Sequence, residues 1–126
     1  MAAMPYKSTK YRLPDKLLAR DSSAERRFGI DDLKLYAYAD DDASIYIAGE
    51  VCARQIKDSF CLICTIYDAD DDVMETARNQ SYGGSGLVTC MIAPAAFFDG
   101  FPFFFTISSI PVDKIKKIRI APASSY

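Results

Sequence analysis

Phe60-Cys61-Leu62-Ile63-Cys64-Thr65-Ile66-Tyr67, closed by Asp68-Ala69-Asp70-Asp71-Asp72, decides the fold of this 126-residue chain. The run is apolar, rich in β-branched and aromatic residues, and free of Gly and Pro. Such residues favour a pleated, buried backbone, and a run this short suits a strand better than a core helix. The reading is a central β-strand ending in an acidic turn.

Upstream, Leu33 to Ala39 alternates and stops at Asp40-Asp41-Asp42. Ser44 to Ala53 follows, with Ile45, Ile47 and Val51 on one face and Tyr46, Glu50 and Cys52 on the other. Gly49 inside that strand signals a bulge or a close backbone approach. Downstream, Val73 to Arg78, Leu87 to Ile92, Phe101 to Ser108 and Ile115 to Ile120 read as further strands. Tyr82-Gly83-Gly84-Ser85-Gly86 reads as a loop, and Pro102 fits a strand start or an edge. Short strands punctuated by turns, with no long amphipathic helix, predict an all-β fold. The expected architecture is an immunoglobulin-like antiparallel β-sandwich of about seven strands. Eight Phe residues suit its core.

Charge divides the chain. Residues 1–30 hold seven Lys/Arg against three acids, whereas 31–126 hold eight against fourteen, for a net charge of −2. The expected organisation is a basic extension over 1–30, irregular or with a helical turn or two after Pro14, and a sandwich over 31–126. The positive charges are too dispersed for a nucleic-acid arm, so no nucleic acid is expected as a partner. No apolar run approaches the roughly 20 residues of a spanning helix, so no transmembrane segment is expected.

The chain has no histidine, which removes the commonest general base and metal ligand. Cys61 and Cys64 have the spacing of a redox or zinc half-site, but residues three apart on a strand face opposite ways. Together with Cys52 and Cys90 they are expected to be free thiols. Free thiols and a start without a signal-like apolar core favour the cytoplasm. An envelope location would follow if a leader had been trimmed. No enzyme activity and no cofactor are expected.

Two constellations remain. Strand parity would gather alternate loops at one end of a sandwich, bringing Asp40, Asp41, Asp42, Asp68, Asp70, Asp71, Asp72 and Asp99 together. Clustered carboxylates could supply the oxygens that Ca²⁺ requires, although Asp is also an ordinary turn residue. The second constellation is aromatic. Phe97, Phe98 and Phe104, with Tyr36, Tyr38 and Tyr46 on outward faces, could dock a protein partner or support self-association, and core or cross-strand packing is the competing account.

Ile47-Ala48-Gly49-Glu50-Val51, then Cys64-Thr65-Ile66-Tyr67-Asp68-Ala69-Asp70, then a late Phe-rich strand, resemble the bacterial FxLYD-type sandwich domains. Cys64 stands where that family has Phe, Ile66 where it has Leu, and Asp71 or Asp72 where it has a turn glycine. Across residues 33–121 the resemblance implies an immunoglobulin-like fold, an accessory role often on cell-envelope proteins, and no catalytic residues. The expected function is a non-catalytic protein-interaction or assembly module. The alternative is a calcium-responsive binding module using the acidic loops.

Overall fold

Alternation along each strand separates a core face from a solvent face, and two such sheets bury their apolar faces against each other. The computed structural model describes residues 10–82 and 88–124. The front sheet runs β1 (Tyr11–Arg12), β3 (Asp32–Ala39), β4 (Ile45–Cys52) and β9 (Phe101–Ile107), neighbour to neighbour in that order. The back sheet runs β2 (Leu18–Arg20), β10 (Ile115–Ala123), β5 (Cys61–Asp68) and β6 (Val73–Arg78). A two-residue pair, β7 (Ser81–Tyr82) with β8 (Val88–Thr89), lies between β6 and β9 in sequence. The protein is an all-β sandwich, in which the described residues form two four-stranded sheets and one short α-helix. Among the described residues no helix is long and apolar enough to cross a membrane.

All of the Phe60–Tyr67 run but Phe60 lies in β5, with β10 on one side and β6 on the other. Leu62, Cys64 and Ile66 are fully buried, as are Ile118 and Ile120 of β10. From the front sheet, Ile45, Ile47, Val51, Phe103 and Phe105 close on them. Gly49 has a packing reason: a Cβ there would collide with the Lys34 carbonyl oxygen and come within 2.7 Å of the Phe103 ring. The missing side chain lets that ring lie against the backbone.

Residues 10–30 are woven into both sheets. β1 pairs antiparallel with β3, Tyr11 opposite Ala39, and β2 pairs parallel with β10, Leu18 opposite Ile118. Leu13, Phe28 and Ile30 join the core. Covering the outer edges of β3 and β10 protects backbone groups that would otherwise lie unpaired. Strands of two or three residues carry no periodicity, so only pairing reveals them.

Between β2 and β3 sits α1 (Ser22–Phe28). Asp21 caps it, its carboxylate accepting from the Ala24 amide at 3.0 Å. Gly29, left-handed at φ 86°, ends it, with the Gly29 amide bonded to the Arg26 carbonyl and the Ile30 amide to that of Glu25. Glu25 is only 3% exposed. Arg20 neutralises it through a two-pronged contact, at 3.0 and 2.6 Å, and reaches Asp32 on β3 at 2.8 Å. Arg119 of β10 binds Asp21 at 2.8 Å, so charge ties the helix to the back sheet.

Among the described residues 88–92, the expected strand is shorter than its sequence suggests. Only Val88–Thr89 pairs as β8, and Ile92 adds an isolated bridge to Phe60. Gly83 to Leu87, which include most of the predicted loop, lie outside the described residues.

Two substitutions test these contacts. Gly49→Ala should destabilise the fold by about 3 kcal/mol, because neither the Lys34 backbone nor the Phe103 ring has room to yield. Arg20→Ala should cost about 2 kcal/mol by leaving the Glu25 carboxylate buried without its cation. Adding Glu25→Gln to Arg20→Ala should recover part of that loss. Urea unfolding at pH 7 reads all three.

Candidate functional site

Because Ile45, Ile47 and Val51 face inward, the even-numbered residues of β4 must face out. The register then sets the rows of the front sheet's outer surface. Tyr36, Ala48 and Phe104 form one row across β3, β4 and β9. Tyr38, Tyr46 and Thr106 form the next, and Lys34, Glu50 and Pro102 the one on the other side. Ala48 is exposed and small, so the larger side chains beside it stand as walls. The result is an open groove of about 380 Å³ bounded by Tyr36, Ala48, Glu50, Ser81, Pro102 and Phe104. Tyr36 is 41% exposed, and Phe104 is half-buried.

Two cations steady the tyrosines. The Arg12 guanidinium lies 5.0 Å from the centre of the Tyr36 ring and 5.9 Å from that of Tyr38. The Lys10 ammonium sits 4.1 Å from the Tyr46 ring centre. The Tyr46 hydroxyl donates to Asp40 at 2.8 Å, which raises the Tyr46 pKa and holds the ring as a fixture of the surface. Tyr36 is the most exposed of the three tyrosines on this face, so its free side is open for contact.

Of the six predicted docking aromatics, four gather on this face and two do not. Phe97 and Phe98 lie by the β9 start, with ring centres 5.9 and 4.9 Å from that of Phe101. Phe97 packs on the core, while Phe98 is 57% exposed. They cap the end of the sandwich, as sheet ends require apolar lids. The sequence reading missed Ala48 as the groove floor and Pro102 as part of its lining. It also missed Arg12, whose position over the tyrosines depends on the β1–β3 pairing. Alternation alone would have placed Ala48 beside Tyr46 on the outer face, but a small residue gives no signal of a cavity.

The eight aspartates do not converge. Asp99 accepts from the Ala53 amide at 3.1 Å, beyond the C-terminal end of β4, whereas Asp40 to Asp42 precede its N-terminal end. Strand length separates them by about 24 Å. Parity failed because the described residues between β6 and β9 form the two-residue pair of β7 and β8 where the sequence counts a single strand, and β9 runs antiparallel to β4. The loops at 40–44 and 68–72 do share an end. The Ile110 amide bonds the Ala43 carbonyl at 2.8 Å, and the connection then enters β10 with Ile115 opposite Asp68.

Each of those loops is held by its own first aspartate. Asp40 accepts from the Asp42 and Ser44 amides at 2.9 and 3.0 Å. Asp68 accepts from the Asp70 and Asp72 amides at 2.9 and 3.0 Å. This is the local bonding that makes Asp a turn residue. It also draws Asp68, Asp70 and Asp72 together, with carboxylate oxygens within 4.8 Å of one another. Asp41 and Asp42 are exposed, and Asp71, at φ 64°, pairs with Lys116 at 3.1 Å.

All four cysteines are free thiols. Cys64 lies in the core, and burial pushes it up to about 12; burial also raises Cys52 and Cys61. Thiols in such surroundings are poor nucleophiles and poor metal ligands at neutral pH.

Asp40 generates a pH prediction. Burial pushes its carboxyl up, but the Tyr46 hydroxyl, the Ser44 and Asp42 amides and the nearby Lys10 charge outweigh that and hold it below the usual range. A depressed folded-state pKa adds stability above the unfolded value and loses it as pH falls through the folded one. Asp40→Asn should therefore lower Tm at pH 7 and show a shallower Tm decline than the parent between about pH 4 and 2. An unchanged acid slope would remove Asp40 from the account.

No family model, curated protein or solved structure matches this chain, so what it does must be read from its own geometry.

Proposed function

We propose that this protein is a non-catalytic protein-interaction module that docks an extended partner segment along the Tyr36–Ala48–Phe104 row of the front sheet. The observation that carries the reading is the groove itself: an apolar floor between aromatic walls on the solvent side of a sheet. Aromatic side chains supply large contact area at low cost in side-chain entropy, and such positions dominate binding energy in protein interfaces. Arg12 and Lys34 flank the groove on the β3 side, which suits a partner segment with aliphatic side chains and a nearby carboxylate. A chain without histidine, in which burial raises Cys52, Cys61 and Cys64, supports the non-catalytic part of the reading.

Strand order supports an immunoglobulin-like assignment. After the β3–β4 hairpin the chain crosses to β5 and β6, then returns as β9 beside β4 and as β10 beside β5. That is Greek-key order, with β2 occupying the edge position beside β10. An FxLYD-type accessory domain remains the family reading we favour. It is consistent with a chain whose Gly49, Tyr67 and Asp68 serve a sheet and its turns.

Selection of peptides from a displayed random library tests the docking site, with Ala48→Arg as the counter-screen. Ala48 is exposed, so the arginine fills the groove without entering the core. Enriched peptides should lose about 2 kcal/mol of affinity, close to thirtyfold, on Tyr36→Ala, and more on Ala48→Arg. Peptides that bind the parent and Ala48→Arg equally would overturn the site. Concentration-dependent dimerisation abolished by Ala48→Arg would make the partner a second copy of this chain.

The calcium-responsive alternative retains only Asp68, Asp70 and Asp72 as neighbours, and their closeness has a local cause in the turn. It requires a Ca²⁺-specific rise in Tm over a Mg²⁺ control, of several degrees at saturating ion. The docking reading expects no such rise.

A further inference from the structure

A second cavity lies away from the front-sheet groove, between the C-terminal end of α1 and the turn that follows β4. It holds about 650 Å³ and is lined by Arg26, Gly29, Asp31, Arg54, Gln55 and Lys57, among others. That volume falls within the range of small-molecule sites. Its walls are stitched together by backbone. The Lys57 amide donates to the Phe28 carbonyl at 2.9 Å, the Asp31 amide to the Cys52 carbonyl at 2.9 Å, and the Arg54 amide to the Asp31 carboxylate at 3.1 Å. At Gly29 a Cβ would come within 2.6 Å of the Gln55 carbonyl oxygen, so the two walls meet as closely as a glycine allows.

The charge on those walls is unbalanced. Arg26, Arg54 and Lys57 supply three cations against one carboxylate, Asp31, on a chain whose net charge is −2. Asp31 is already engaged by the Arg54 amide and, at 3.5 Å, by its guanidinium. Most of that guanidinium still faces solvent, because the Arg54 side chain is 93% exposed. Elsewhere, Arg12, Arg20, Lys116 and Arg119 each have a carboxylate partner. The helix end does not undo the positive field, since the carbonyls of Glu25, Arg26 and Phe28 are all taken by backbone amides.

We infer that this cavity binds a compact oxyanion of two or more charges, the phosphoryl group or groups of a small soluble molecule. Two guanidinium groups offer planar pairs of donors that match phosphate oxygens, and Lys57 adds a mobile point charge. The backbone bonds between the helix end and the turn after β4 hold the walls that carry the three cations together, and their exposed side chains order on binding. The site is independent of the front-sheet groove and stands or falls separately.

Isothermal titration with inorganic pyrophosphate, against sodium chloride at matched ionic strength, tests it. The expected result is saturable one-to-one binding that weakens about tenfold in Arg54→Ala and again in Lys57→Ala. Arg27→Ala is the control, because Arg27 is exposed on the same helix but does not line the cavity. It should bind like the parent. All three positions are at the surface, so circular dichroism and Tm should confirm an intact fold. No saturable heat up to about 10 mM pyrophosphate would overturn the inference. Equal weakening in Arg27→Ala would also overturn it, since binding would then follow overall surface charge.

Discussion

The inward packing of Ile45, Ile47 and Val51 on β4 is the constraint on which the front sheet depends. β4 is the strand flanked on both sides by long neighbours, β3 and β9, and its alternate residues must reach the core that β5 and β10 complete. Slipping its register by one residue would send those three side chains to solvent and bring Tyr46, Ala48 and Glu50 inward. The cost, several buried aliphatic side chains at about 2 kcal/mol each, is large against the stability of a small domain. Core packing thus holds the outer face in place, and the groove over Ala48 exists because its neighbours on β3 and β9 are locked to the same register.

Edges and ends are managed by different means. The N-terminal segment covers parts of β3 and β10, adding β1 to one sheet and β2 to the other. Arg20, Glu25, Asp32, Asp21 and Arg119 then fasten that segment electrostatically to both layers. At the ends, Asp40 and Asp68 hold their loops by accepting two amides each, and Phe97 and Phe98 lie over Phe101. Most of the acidic and aromatic residues that look functional in the sequence have architectural work of this kind. Tyr36, Ala48 and Phe104 stand apart because their row leaves a hollow open to solvent.

Much of the architecture was legible in advance. The strand over 60–67 follows from an unbroken run of apolar, β-favouring residues, and the strands that became β3 and β4, with the phase of β4, follow from alternation; both are local properties of the chain. The shared end of the 40–44 and 68–72 loops followed from parity. Asp99 did not, because parity counts strands: the pattern over Leu87 to Ile92 counts as one, whereas among the described residues Val88 and Thr89 pair with Ser81 and Tyr82 in a short separate hairpin. The N-terminal strands were hidden for a related reason: at two and three residues, β1 and β2 are shorter than the period that would announce them.

The sequence by itself determined the class of fold, the face each long strand turns to the core and the turns that end β3 and β5, because alternation and Asp turn chemistry act over a few residues. Only the tertiary structure decided which surface residues meet. Tyr36, Ala48 and Phe104 are brought into one row by register across three strands, and Arg26, Arg54 and Lys57 into one cavity by the packing of a helix end against a distant turn. Such neighbours are separated by tens of residues along the chain, and pairing and burial, which depend on the whole core, set the distances between them.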